Sequence, residues 1–136
     1  MLVGAVLALD AVSVSHAQGW RPERTVEIVV PSAAGSSLDA SARMIGRILV
    51  ENKIVEVPVL VVNKPGGGQT VAFAYLGSHP ANPHYLGLAS SSWLTTVAAN
   101  PAAAGPREFT PIVKMLDEYQ VYFVRTDSPI RNARDI

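Results

Sequence analysis

The sequence predicts an α/β domain built on a parallel sheet, and three observations lead there. Short β-branched apolar runs alternate with segments of helical periodicity. Each of the first three runs is followed by a loop rich in glycine, serine or alanine. The composition is 49% hydrophobic and 16% charged, against a usual charged share of about 25%, which supplies apolar surface for a packed core. Strand-helix-strand order of this kind implies right-handed crossovers with helices on both faces of the sheet.

Thr25 to Val30 (TVEIVV) reads as a buried strand that Pro31 stops. Ser32-Ala33-Ala34-Gly35-Ser36 makes the following loop, and Ser36 or Ser37 caps a helix running to about Glu51. Leu38, Ala42, Ile45 and Leu49 recur at helical spacing and form its buried face, with Met44 and Ile48 beside them. Asp39 falls in the first turn, where a carboxylate suits the positive end of the helix dipole. A second strand over 57–62 carries Pro58 at its beginning, where proline is tolerated. Asn63 to Gln69 is a glycine-rich turn into a second helix over 70–76. A third strand over 85–89 leads through Ser90-Ser91-Ser92 to a short helix near 93–99. Residues 100–111, with three prolines and a glycine, form a loop. Ile112 to Leu116 and Val121 to Val124 are two further strand candidates, and 132–136 reads as the start of a helix.

Several function classes are excluded. Lysine plus arginine equals aspartate plus glutamate at 11 each, with neither sign in a run, so nucleic acid is not an expected partner. The chain has no cysteine, which removes disulfides, thiolate metal sites and thiol nucleophiles. His79 and His84 sit five apart on a turn without a nearby acidic partner, and the expectation is loop histidines and no metal. No G-x-S-x-G elbow appears, Gly66-Gly67-Gly68 lacks the ending of a P-loop, and no catalytic residue or cofactor is assigned. Trp93 either lines a cleft or belongs to the core. Asp117, Glu118 and Tyr119 are expected in a solvated turn, with Glu118 or Tyr119 as the candidates to border a cleft.

The amino terminus reads as a targeting segment. Residues 2–9 (LVGAVLAL) form an apolar run, and Ser15-His16-Ala17 has small residues at both key positions of a cleavage site. No Lys or Arg precedes the run and Asp10 interrupts it, so a first helix or strand of the fold is the alternative. The run is far short of the ~20 residues that a membrane span needs. Export is the expectation, with a mature start at Gln18.

In parallel α/β sheets, ligands gather at the carboxyl ends of the strands. Three loops leave those ends: 32–37, 63–69 and 90–92. Their small residues let backbone amides approach a ligand, and two of them feed helix N-termini with unpaired N–H groups. These features predict an anion site built from amides and hydroxyls without a basic side chain. Ordinary βα turns use the same residues for caps and bends, so spacing alone leaves both readings open.

The same loops carry a family resemblance. VEIVVPSAAGSSLDASARMIGRIL resembles the opening of the substrate-binding proteins of tripartite tricarboxylate transporters, the Bug family, through Pro31, Ala34, Gly35, Asp39, Ala42 and Arg43. VVNKPGGGQTVA matches that family's second signature through Asn63, Lys64, Pro65, Gly66, Gly67 and Gly68. HPANPHYLGLASSS resembles a third stretch through Pro80, Ala81, Tyr85, Leu86 and Leu88, and REFTPIVKMLDEYQVYFVRTDSPIRNARDI a fourth. The likeness runs from Trp20 to Ile136. Ser36 stands where the family has a second glycine, Ser32 where it has an aromatic, and Asn82-Pro83-His84 where it has Asp-Gly.

The resemblance implies domain I of a two-domain, periplasmic-binding-protein-like (type II) fold, truncated before domain II, since family members are more than twice as long. On that basis residues 1–17 are expected to be a signal peptide, 18–118 the first part of ligand-binding domain I, and 119–136 a crossover strand and the start of domain II. It implies a periplasmic, non-enzymatic protein that captures a small carboxylate for the permease subunits of a membrane transporter. Carried over residue by residue, the ligand-binding set is Ser32, Ala34, Gly35, Ser36 and Asp39 from the first loop. The second loop adds Gly66, Gly67, Gly68, Gln69 and Thr70, and the third Ser90, Ser91 and Ser92. The alternatives are an α/β enzyme with a glycine-rich anion or nucleotide loop, and a non-functional remnant.

Overall fold

The computed structural model describes residues 19–117, 119 and 121–135. The expected signal peptide, Glu118 and Ile136 lie outside the described residues. β1 (Val26–Val30) is the central strand, with β2 (Val59–Asn63) on one side and β3 (Tyr85–Gly87) on the other, both parallel to it. The register pairs Val26 with Val59 through Val30 with Asn63, and Glu27 with Tyr85 through Val29 with Gly87. The parallel α/β sheet expected from the sequence is thus present, in the order β2-β1-β3.

Alternation along β1 assigns the two faces. Ile28 and Val30 pack with Ala42 of helix α1 (Ser37–Glu51), together with Leu38, Ile45, Val59 and Val61. Val29 packs on the opposite face with Ala72, Phe73 and Leu76 of α2 (Thr70–Gly77) and Trp93 of α3 (Ser91–Ala99). A central strand covered on both faces is mostly apolar, and β1 is apolar except at Glu27, whose half-buried carboxylate accepts from the Tyr75 hydroxyl at 2.9 Å. Gly46 lets α1 lie close to the sheet: a Cβ there would sit 3.3 Å from Val59 Cγ1.

Trp93 belongs to the core. Its ring stacks on Phe73 with centroids 3.6 Å apart, Phe109 meets both edge-on, and its indole N–H donates to the Ala104 carbonyl at 3.1 Å.

Several boundaries and three elements differ from the sequence expectation. β2 begins at Val59 instead of Val57, leaving Pro58 just outside with its carbonyl accepting from Val26 N–H at 2.9 Å. β3 ends at Gly87 instead of Ala89. The strands expected at Ile112 to Leu116 and Val121 to Val124, the second being the crossover strand, do not form among the described residues. Ile112 is 78% exposed and Phe123 87%. A strand needs a hydrogen-bonding neighbour, and neither segment has one among the described residues. The helix expected at 132–136 is a single 3₁₀ turn, Ala133–Asp135. No helix among the described residues is long and apolar enough to cross a membrane.

The topology places a switch point between β1 and β3. The chain leaves β1 toward the α1 face and leaves β3 toward the α3 face, so the two loops diverge from adjacent strands. This is the switch point at which open parallel sheets hold their ligands.

Candidate functional site

The first loop, 32–36, is held from below by Asp39. Ser36 is the N-cap of α1: its backbone is extended and its hydroxyl accepts from Asp39 N–H at 3.2 Å. The Asp39 carboxylate, 3% exposed, accepts from Gly35 N–H at 2.9 Å and from Arg43 through both Nε and Nη2 at 3.0 Å. Asn63 Nδ2 donates to the same carboxylate and to the Ser32 carbonyl, each at 3.0 Å. The Arg43 hydrogen bond, then those from Gly35 and Asn63, lower the Asp39 pKa from 3.8 to about 2. Asp39 stays charged and fully engaged. The Ser32 and Ser36 hydroxyls lie 2.6 Å apart and bond each other.

Asn63 and Arg43 were outside the expected ligand-binding set. Arg43 was legible as the i+4 partner of Asp39 on one helix face. Asn63 was not, because its reach depends on the pairing of Val30 with Asn63 across β1 and β2.

The second loop runs through four consecutive left-handed residues, from Gly66 to Gln69, with φ of 121°, 57°, 58° and 80°. Three of the four are glycine, the residue that takes this conformation freely. At Gly68 space also demands it, since a Cβ would stand 2.3 Å from Thr96 Oγ1 of α3. Thr70 Oγ1 donates to the Gly67 carbonyl at 2.8 Å. Gln69 makes no cap for its own helix; its buried carboxamide reaches across to the third loop, meeting the hydroxyls of Ser90 and Ser92 and accepting from Ser90 N–H at 3.3 Å.

The 63–69 segment therefore braces both neighbours, Asn63 fixing the first loop and Gln69 the third. Among the described residues no hydrogen bond joins 32–36 to 90–92, so the switch point between them is unbridged. Around it, the N–H groups of Ala33, Ala34, Gly67, Gly68, Ser91 and Ser92 take no partner among the described residues. The nearby cations are engaged elsewhere: Arg43 with Asp39, and Lys64 over the Tyr75 ring at 4.2 Å. Backbone N–H groups of this kind are the donors that hold anions at helix N-termini and nests in general. Of the two histidines, His79 stacks on Tyr85 with centroids 4.0 Å apart and its Nδ1 lies 2.9 Å from the Tyr75 carbonyl, while His84 Nδ1 lies 3.1 Å from Asn82 Oδ1.

The chain is 33% identical over 94 residues, 69% of its length, to a UPF0065 protein of Bordetella bronchiseptica. It is a homologue of that UPF0065 protein. It spans 27% of the length of that relative. No family model matches the chain, and no solved structure does. The resemblance that the sequence motifs carry is thus supported by an independent match, and this UPF0065 homologue has the α/β parallel sheet that the resemblance implies.

Proposed function

We propose that this chain contributes the carboxylate-binding wall of an extracytoplasmic solute-binding protein, which passes its ligand to the permease subunits of a tripartite-tricarboxylate-type transporter. One observation carries the reading: at the sheet's switch point, N–H groups from three loops take no partner among the described residues, while Arg43 and Lys64 are engaged elsewhere. Backbone donors of this kind suit a small carboxylate, held directly or through ordered water. The UPF0065 homology supports the same role, periplasmic and non-enzymatic. In this reading residues 18–118 are the first part of ligand-binding domain I, and 119–136 lead toward a second domain. Ser32, Ala34, Gly35 and Ser36 face the ligand from one wall and Ser91 and Ser92 from the other, with Gly67 and Gly68 between.

The test is thermal unfolding of the chain with succinate and with succinamide, its neutral analogue, at matched ionic strength. The expected result is a saturable rise in Tm with succinate alone, because a ligand bound only by the native state stabilises it by mass action. Equal shifts with both compounds, or none with either, contradict the proposal.

A further inference from the structure

Gln69 has a left-handed backbone, with φ of 80°, and is only 7% exposed, an unusual combination for a residue with a long polar side chain. Its carboxamide orientation follows from its partners. Ser90 N–H can only donate, so the atom it meets is Oε1, and the NH₂ group faces the two serine hydroxyls. Each Nε2 proton then goes to one hydroxyl oxygen. The hydroxyls of Ser90 and Ser92 also lie 2.9 Å apart, so one of them donates to the other. Of the two hydroxyl protons, one is thereby used inside the pair and one is left over. A hydroxyl that accepts from an amide is also polarised to donate outward.

We propose that Gln69 is a positioning residue instead of a ligand contact: its NH₂ group turns the Ser90–Ser92 pair into a proton donor aimed at a carboxylate. The inference rests on the carboxylate reading above and gives it a cause of anion selectivity. Glycine at this position would suit the backbone but leave the hydroxyls free to turn either way. Glutamate would accept from both hydroxyls and from Ser90 N–H, reversing the pair and placing a negative charge beside the switch point.

The test uses the full chain labelled with ¹⁵N, succinate as the probe, and the variants Gln69→Gly and Gln69→Glu. In the wild type the Gln69 side-chain NH₂ protons should exchange with water at least about tenfold more slowly than those of exposed Asn100 and Asn132, as buried hydrogen-bonded groups do. Gln69→Glu should weaken succinate at least about tenfold, and Gln69→Gly by a smaller factor, as expected for loss or reversal of a charge-assisted donor. Unchanged amide positions in α1 and β1 establish that each variant is folded. A succinate response unaltered by Gln69→Glu, or fast exchange of the Gln69 NH₂, overturns the role of Gln69 alone. No succinate response in the wild type overturns the carboxylate reading and the donor role with it.

Discussion

β1 and the segment Val121 to Val124 are both short valine-rich runs with one or two larger apolar side chains, β1 carrying Glu27 as well. In β1 the run is buried: Val26, Val29 and Val30 are fully enclosed, paired on both edges and covered on both faces. In 121–124 the same chemistry is exposed and unpaired, with Tyr122 at 88% exposure. Intrinsic β-propensity is therefore a statement about fitting a pleated, half-buried surface and creates no strand by itself. What separates the regions is the partner. The loop at the carboxyl end of β1 is anchored to that packed strand and tied by Asp39 and Asn63.

The sharpest way to break this comparison is one substitution in the packing around β1 and one in 121–124. Phe73→Ala removes a ring stacked on Trp93 and packed against Val29, and should cost about 3–5 kcal/mol in urea unfolding, enough to threaten the fold. A cost under about 1 kcal/mol would mean the aromatic cluster is not a core.

Next in size is Asp39→Ala, which leaves the Gly35 N–H, the Asn63 amide and the Arg43 guanidinium without their shared acceptor. Hydrogen exchange at Gly35 should accelerate sharply while β1 amides stay protected. Equal acceleration in both would make Asp39 a global support and not a local one.

Acid provides a subtler probe of the same residue. Because the folded pKa is depressed to about 2 from 3.8, Asp39 stabilises the native state above its ordinary pKa. That contribution is lost as pH falls through the interval between those values. The stability of wild type minus that of Asp39→Asn should thus shrink between about pH 4 and pH 2, and a difference independent of pH would contradict the arrangement.

Smallest of all is the counterpart of the first substitution. Phe123→Ala should change stability by less than about 0.5 kcal/mol, because its ring has no enclosure to lose. A loss comparable with Phe73→Ala would show that the segment packs in solution.

Much of the architecture was legible in the residues. The valine run stopped by Pro31, the Ser36 cap and the Leu38-Ala42-Ile45-Leu49 spacing located β1 and α1 almost to the residue. The strands at 112–116 and 121–124 were misplaced because propensity is local and pairing is not. The candidate site was legible as three loops, since small residues after strands have a direct physical reading. The links between the loops were not. Asn63 touches Ser32 across 31 positions and Gln69 touches Ser90 across 21, distances that no spacing rule spans. Hydroxyls that read as ligand donors proved to have internal partners, which only the folded geometry could reveal.

The most direct test of the central claim is a ¹H–¹⁵N titration of the whole chain with succinate. The account predicts saturable shifts clustered at Ala34, Gly35, Gly67, Gly68, Ser91 and Ser92, with residues 112–124 unmoved. Shifts centred outside the three loops, or none at any concentration, would contradict it.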